Sequence, residues 1–181
     1  MEYADEIIKG LNVKMDIQIQ AVSKEEEDVL HNIMQFYIYE FTKYMRTITI
    51  KDNGRFGRFN LDVYWTDRNH HAYFVKVDGL LAGFVLLQSQ SEKEPNSIEE
   101  FFIMRGYEGK GIGSNVAEQI FSMFPGRWYV QQSEKNERAR AFWRNIISKC
   151  TKGNFEERFD ERNCSIQEFT IEEKNKEFTK R

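Results

Sequence analysis

The stretch "YEGKGIGSNVAEQIF", residues 107–121, places glycines at every second position, 109, 111 and 113, just before a helix-like pattern. Glycine weakens strands and helices by roughly 0.5–1 kcal/mol relative to alanine, so packing does not explain three of them. Successive backbone N–H groups at the start of a helix converge on one point and bind anions, helped by the helix dipole. The spacing therefore predicts a phosphate-binding loop.

Two common phosphate loops do not match this stretch. A Walker loop needs GxxxxGK[ST], and the Gly109–Lys110 pair is followed by Gly111. The dinucleotide fingerprint GxGxxG needs a third glycine, where this chain has Ser114 or Val116, depending on the glycine that begins the count. The remaining pattern is an acyl-CoA loop.

The segment "FFIMRGYEGKGIGSNVAEQIF" (101–121) resembles motif A of the GNAT N-acetyltransferases, in which a strand runs into [RQ]xxGx[GA] and then a helix. The segment "NERARAFW" (136–143) resembles the next helix motif of that family, N-x-x-A followed by an apolar–aromatic pair. The resemblance extends over about residues 15–171 in element order, and over 98–145 in specific residues. Within the family, this combination of motifs is similar to that of a group of predicted acetyltransferases.

The resemblance implies acetyl-CoA as co-substrate and no metal. It implies that backbone amides around Ile103 and Met104 receive the acetyl carbonyl and the pantetheine arm, and that Asn136 bonds to the pantetheine or the reacting end. The backbone amides implied to hold the pyrophosphate are those of Gly109, Lys110, Gly111, Ile112, Gly113 and Ser114.

The chain departs from the family pattern at two positions. Glu108 stands where Arg or Gln is usual, and a carboxylate beside a pyrophosphate is unfavourable unless it points to solvent. The backbone amides and Lys110 are therefore expected to do more of the holding. Trp143 stands where many members have a tyrosine that protonates the leaving thiolate. An indole N–H donates a hydrogen bond but is not a proton source, so that catalytic acid is missing.

Transfer of an acetyl group to an amine also needs a base, because a free alkylamine has a pKa of about 10.4 and must lose a proton to attack. Glu99 and Glu100 precede the apolar end of the strand predicted at 98–104. Strand alternation predicts that they face opposite sides, so that one faces the cleft, and we favour Glu100. The alternative is that each is a solvated carboxylate.

These features predict an acetyl-CoA-dependent N-acetyltransferase that acts on a primary amine of a small molecule or a protein. A CoA-binding module that senses or scaffolds without turnover is the alternative, and a nucleotide-binding domain is a third. The sequence leaves the acceptor open, although aromatic residues of the first helix are candidates for its pocket or for plain packing: Tyr37, Tyr39, Phe41 and Tyr44. A monomer or a homodimer is expected.

Composition narrows the class of protein. The 181 residues carry a net charge of −3, which gives no basic footprint for nucleic acid. No apolar run reaches the roughly 18–20 residues of a membrane span, and residues 1–10 lack the layout of a signal peptide. Two cysteines and three histidines make no zinc pattern. A cytoplasmic protein is the expectation.

The elements that must position these residues follow from periodicity and turn signals. Ser23 and Glu26 form a capping box that predicts a helix through about Tyr44. Asp78–Gly79 between two apolar runs predicts a hairpin. The other predicted segments are a strand at 14–22, a long loop with short pieces of structure at 46–71 that carries His70 and His71, a strand at 98–104, a helix from the glycines to Phe124, a strand at 127–132, a helix at 136–150 and a final hairpin.

This order predicts an α/β or α+β fold with a mixed sheet in a single domain, 1–181, with its core at about 15–171. The resemblance implies a GNAT-like, mostly antiparallel sheet flanked by helices. The charged tail, 172–181, is expected to be solvated.

Overall fold

A computed structural model of the protein describes residues 15–173, so the first fourteen residues and most of the predicted tail lie outside the described part. The strands are β1 (Ile17–Ala21), β2 (His70–Val77), β3 (Leu80–Gln88), β4 (Asn96–Ile103), β5 (Gly126–Gln132), β6 (Phe155–Phe159) and β7 (Ser165–Ile171). The helices are α1 (Glu27–Phe41), α2 (Val63–Thr66), α3 (Ile112–Met123) and α4 (Glu137–Thr151).

Within 15–173 the strands form one seven-stranded sheet in the order β1-β2-β3-β4-β5-β7-β6. Five of its neighbouring pairs are antiparallel, and β4 with β5 is parallel. The expected fold class, a mixed and mostly antiparallel sheet flanked by helices, is confirmed.

The parallel pairing of β4 with β5 is short. It joins Asn96–Ile98 to Trp128–Val130, and β4 then continues to Ile103 without a registered partner in β5. The two strands therefore separate in the middle of the sheet. This opening is where a ligand can reach the backbone edge of β4.

Helices cover the two faces of the sheet and define two cores. The α1–α2 core includes Leu30 and Met34 of α1 packed on Phe74, Phe84 and other residues of β2–β4. The α3–α4 core is larger and packs helices α3 and α4 on the opposite face. Its largest fully buried members are Leu87, Ile112, Ile120, Phe121, Trp128 and Ile147.

Local sequence signals account for most of the element boundaries. Asp78 and Gly79 have φ of 50° and 78°, as the predicted two-residue hairpin turn requires. The capping box at Ser23 is present, and it opens a short 3₁₀ turn that leads into α1. Helix α1 ends at Phe41 rather than at Tyr44.

The long loop predicted at 46–71 is wrong at its end, because His70 and His71 are the first two residues of β2. The ladder with β3 extends to them, with His70 opposite Gln88 and His71 opposite Leu87. Short helix α2 is a short piece of structure of the kind expected inside this segment. The two histidines are therefore partly buried strand residues rather than residues of an exposed loop.

A β-bulge at Glu99 interrupts the pairing of β3 with β4. Leu86 pairs with Glu100 and the next residue, Leu87, pairs with Ile98, so Glu99 is the extra residue. A bulge breaks the strict alternation of side chains along a strand. The expectation that Glu99 and Glu100 face opposite sides is wrong for this reason.

Candidate functional site

A cleft of about 420 Å³ lies at the opening beside β4. Its walls come from the end of α1, the second half of β4, the glycine loop with the start of α3, and the start of α4. The residues that line it are Tyr37, Glu40, Phe41, Lys43, Tyr44, Phe101, Phe102, Ile103, Tyr107, Glu108, Gly109, Gly111, Ile112, Gly113, Ser114, Asn136, Arg138, Ala139, Phe142 and Trp143.

The glycine loop forms one end of the cleft. Gly109 and Gly111 have φ of 74° and 75°, in the left-handed region that favours glycine. Gly111 caps α3, and the first main-chain bond of the helix runs from the Asn115 amide to the Gly111 carbonyl, 3.0 Å away. The three amides before Asn115 are first-turn donors without an intrahelical acceptor, and they belong to cleft residues 112–114.

Glycine occupies the three positions of the loop for different local reasons. A Cβ atom on Gly109 or Gly111 would meet nothing within 4 Å, so backbone conformation is what selects glycine there. Gly113 lacks a positive φ, and its Cβ would lie 3.5 Å from the ring of Phe142, which is an ordinary contact. The space around the loop is open toward the cleft rather than filled by protein.

The exposed edge of β4 forms the floor of the cleft. The Met104 amide donates to the Ala82 carbonyl at 2.8 Å, so it already serves the pairing with β3. Because N–H groups alternate between the two edges of a strand, the amides of Ile103 and Phe101 point to the opposite edge, where β5 has separated. Ile103 lines the cleft, and Met104 packs in the α1–α2 core instead.

Two other predicted ligand residues have local partners. The Lys110 ammonium donates to the Gly106 carbonyl at 3.1 Å and lies 5.9 Å from the centre of the Tyr107 ring, and Lys110 is outside the cleft lining. Asn136 lines the cleft and caps α4, since its Oδ1 accepts the Ala139 amide at 3.1 Å. That bond uses the side-chain oxygen, and the Nδ2 group can still donate to a ligand.

Glu108, the first departure from the family pattern, pairs with an arginine. Its Oε2 accepts from the Arg138 Nη2 at 2.8 Å, and both residues line the cleft. Arg138 belongs to the first turn of α4, so this ion pair joins the glycine loop to the next helix. The carboxylate is therefore neutralised by a neighbour.

Glu100 is held in a half-buried position by α1. The Tyr37 hydroxyl donates to Glu100 Oε2, and Tyr37 itself lines the cleft. Burial raises the pKa of Glu100 to about 7, with Glu99 raising it further and the Tyr37 hydrogen bond lowering it. Burial and the Glu100 charge raise the pKa of Tyr37. Glu100 is thus a carboxyl that changes charge near neutral pH, and the Tyr37 hydroxyl connects it to the cleft.

Glu99 lies beside it on the same side of the sheet and has separate partners. The Tyr64 hydroxyl donates to Glu99 Oε2, and His70 Nε2 lies 3.7 Å from Glu99 Oε1. A groove of about 440 Å³ contains Glu99 together with Tyr129 and other residues of β4, β5 and the β6–β7 turn. The bulge therefore places one carboxyl behind the cleft and its neighbour in the adjoining groove.

Residues 28–146 match the family model described as "Acetyltransferase (GNAT) family". This match spans well over half of the chain. The chain belongs to the GNAT family of acetyltransferases. The comparison with curated proteins finds no match.

Solved structures share the fold of this GNAT domain at low sequence identity. An acetyltransferase from Thermus thermophilus is 17% identical, with a TM-score of 0.64 over 86% of this chain and 97% of that one. Arabidopsis thaliana Naa50, in complex with the bisubstrate analogue CoA-Ac-MVNAL, is 14% identical, with a TM-score of 0.57 over 86% and 99%. The PaiA N-acetyltransferase of Thermoplasma acidophilum, in complex with coenzyme A, is 14% identical, with a TM-score of 0.58 over 86% and 99%.

Sequence reasoning missed several residues of the site in this GNAT domain. Arg138 lies inside the second motif. Its charge is opposite in sign to that of Glu108 in the first motif, and this could have indicated an ion pair between them. Tyr37 was one of four aromatic candidates, of which Tyr37, Phe41 and Tyr44 line the cleft while Tyr39 is 60% exposed. Nothing in the local sequence indicates that Tyr37 reaches Glu100.

Trp143 lies in the wall of the cleft and in the α3–α4 core. Its side chain is buried, and its ring centre lies 5.1 Å from that of Phe101 and 4.9 Å from that of Phe142. Trp143 is therefore a core residue of α4 that also reaches the cleft. Among residues 15–173, no helix combines the length and apolar character needed to cross a membrane.

Proposed function

We propose that this GNAT protein is an acetyl-CoA-dependent N-acetyltransferase that transfers the acetyl group to a primary amine of a small molecule or a protein by direct attack. The observation that carries the proposal is one continuous cleft, which has the glycine loop at one end and the Tyr37–Glu100 pair at the other.

The glycine-loop end suits the phosphates of acetyl-CoA. The first-turn amides of α3, at residues 112–114, can donate to an anion, and the positive end of the helix dipole adds to the attraction. The relatives Naa50 and PaiA were solved with CoA groups bound, which supports the same co-substrate here. Membership of the acetyltransferase family also makes acetyl the expected transferred group.

The middle of the cleft suits the thioester. The pantetheine arm would run along the open edge of β4, where the amides of Phe101 and Ile103 point. A backbone amide aimed at the acetyl carbonyl stabilises the negative charge that develops when the amine attacks. Strand β4 is fixed by β3 on its other edge, so such donors are held in position before the substrate arrives.

The Glu100 end suits removal of the proton from the amine. A base is most effective when its pKa lies near the working pH, and burial places Glu100 there. Tyr37 stands between Glu100 and the cleft, so its hydroxyl can accept an N–H proton from the amine as it passes its own proton to the carboxylate. The leaving thiolate takes its proton from water, because thiols are weak acids, with a pKa of about 8.5 for cysteine.

The test is release of free CoA thiol from acetyl-CoA in the presence of a panel of primary amines and peptide N-termini. Each rate is corrected with protein alone, because the side chains of Cys150 and Cys164 could also react with the thiol reagent. We expect acetyl-CoA to raise the melting temperature and at least one amine to give thiol release and an acetylated product. A raised melting temperature without turnover by any amine would instead indicate a non-catalytic CoA-binding module, and no shift with a folded sample would remove CoA altogether.

A further inference from the structure

The glycine-loop end of the cleft carries a carboxylate, Glu108, on the loop itself. Glu108 occupies the position at which Arg or Gln is usual, and the Lys110 ammonium is bonded to the Gly106 carbonyl at 3.1 Å, outside the cleft lining. If CoA binds here, as proposed above, its phosphates meet a carboxylate at the mouth of the loop. Backbone amides alone would have to outweigh that repulsion.

Arg138 lies at the same place on the facing helix. Its Nη2 is 2.8 Å from Glu108 Oε2, and its side chain is 75% exposed on the cleft rim. A cation in the first turn of a helix opposes the helix dipole, so local helix stability does not explain an arginine at this position. Lys43, which also lines the cleft, is paired with Glu40 of α1 at the far wall.

We propose that Arg138 binds a phosphate group of CoA, and that Glu108 holds the guanidinium at the mouth of the loop until the phosphate replaces it. The Glu108–Arg138 pair is solvent-exposed, and exposed ion pairs contribute little to stability. A phosphate offers an anionic, bidentate partner that matches the guanidinium fork better than one carboxylate oxygen does. The exchange of partners is therefore favourable.

The experiment measures the dissociation constant of CoA for the protein and for three variants. Arg138→Gln should weaken CoA by at least about tenfold, the usual size of a hydrogen bond to a charged group. Glu108→Gln removes the competing carboxylate and should tighten CoA several-fold. Arg140→Gln, on the same helix but outside the cleft lining and near Glu137, should leave the constant within about twofold.

Three ligands separate the sources of the phosphate. A loss in Arg138→Gln that is seen with CoA and not with 3′-dephospho-CoA assigns the contact to the 3′-phosphate. An equal loss with both ligands assigns it to the pyrophosphate. Pantetheine, which has no phosphate, should bind the variant and the parent protein equally.

Two results would overturn the assignment while leaving the proposed function intact. One is an unchanged CoA affinity in folded Arg138→Gln. The other is an equal loss of pantetheine affinity, which would trace the effect to distortion of α4. Failure of the parent protein to bind CoA is a different outcome, because it would remove the proposed function and this inference together.

Discussion

The two ends of the cleft are built in opposite ways. The glycine-loop end consists of consecutive residues, 108–114, whose backbone conformation creates the donors. The other end joins Glu100 of β4 to Tyr37 of α1, which is 63 positions away, across a bulged strand. The first end depends on local conformation, and the second depends on how two distant elements pack. Substitutions should therefore affect binding of the co-substrate at one end and proton transfer at the other.

The largest expected effect is at the packed end. Glu100→Gln should lower the rate at neutral pH by about 10²–10⁴-fold, the usual contribution of a general base, with CoA affinity unchanged. Glu99→Gln is the matched control, because it removes the neighbouring carboxyl that bonds to Tyr64 instead. A normal rate in Glu100→Gln would contradict the assignment of proton transfer to this end of the cleft.

The pH dependence of the rate sharpens the same contrast. A carboxyl with a pKa of about 7 must be ionised to act as a base, so the rate should fall below about pH 7, and Glu100→Gln should lose this limb.

The stability of the fold should depend on the same carboxyl. The pKa of Glu100 in the folded protein is raised above the ordinary 4.5, so the neutral form stabilises the fold, and that contribution is lost as the pH rises through 7. Denaturant titrations measure the free energy of unfolding. Between pH 4 and pH 8 this free energy should rise in Glu100→Gln by up to about 3 kcal/mol relative to the parent protein.

The next effect belongs to the glycine-loop end. Gly111→Val should weaken CoA by about 10–100-fold, because a β-branched residue at φ of 75° costs of order 1–3 kcal/mol or rebuilds the loop. Gly106→Val is the control, since Gly106 lies nearby without a positive φ and its Cβ would meet nothing within 4 Å. Calorimetric titration with CoA measures both. Equal affinities in the two variants would mean that the left-handed turn is not needed for binding.

A smaller effect is expected from Tyr37→Phe. With phenylalanine at this position a water must carry the proton from the amine to Glu100, so the reaction should slow by about tenfold even above the acid limb of the pH–rate profile. The limb itself should move to higher pH, because the Tyr37 hydroxyl no longer lowers the pKa of Glu100. Tyr64→Phe, which removes the hydroxyl on Glu99, should leave the limb in place. A limb that moves equally in both variants would contradict separate roles for the two carboxyls.

The smallest effect is expected between the two ends. Trp143→Phe should keep turnover within about threefold, because the indole supplies packing against Phe101 and Phe142 and no proton. Steady-state kinetics and a melting curve separate lost chemistry from lost packing. A folded, CoA-binding but inactive Trp143→Phe, alongside a normal Glu100→Gln, would reverse the assigned roles.

The sequence was informative where structure is local. The hairpin at Asp78–Gly79 and the glycine loop follow from backbone conformations that few other residues adopt, so their residue types predict them. The faces of Glu99 and Glu100 were not predictable, because a bulge arises from the pairing of two strands and leaves no periodicity of its own. The Tyr37–Glu100 contact likewise needs the packing of α1 on the sheet.

The short parallel pairing of β4 with β5 also has a consequence for the order of folding. Strands β1–β4 form antiparallel neighbours, with β2 and β3 joined by a two-residue turn, whereas β5 must return to β4 across the α3 connection. Loop-closure entropy makes such a crossover slow to form, and only three residue pairs stabilise it once formed. The buried Asn96 amide adds bonds to the Phe124 and Arg127 carbonyls at this joint. The joint that opens the cleft is therefore the part of the sheet expected to assemble last and to separate first.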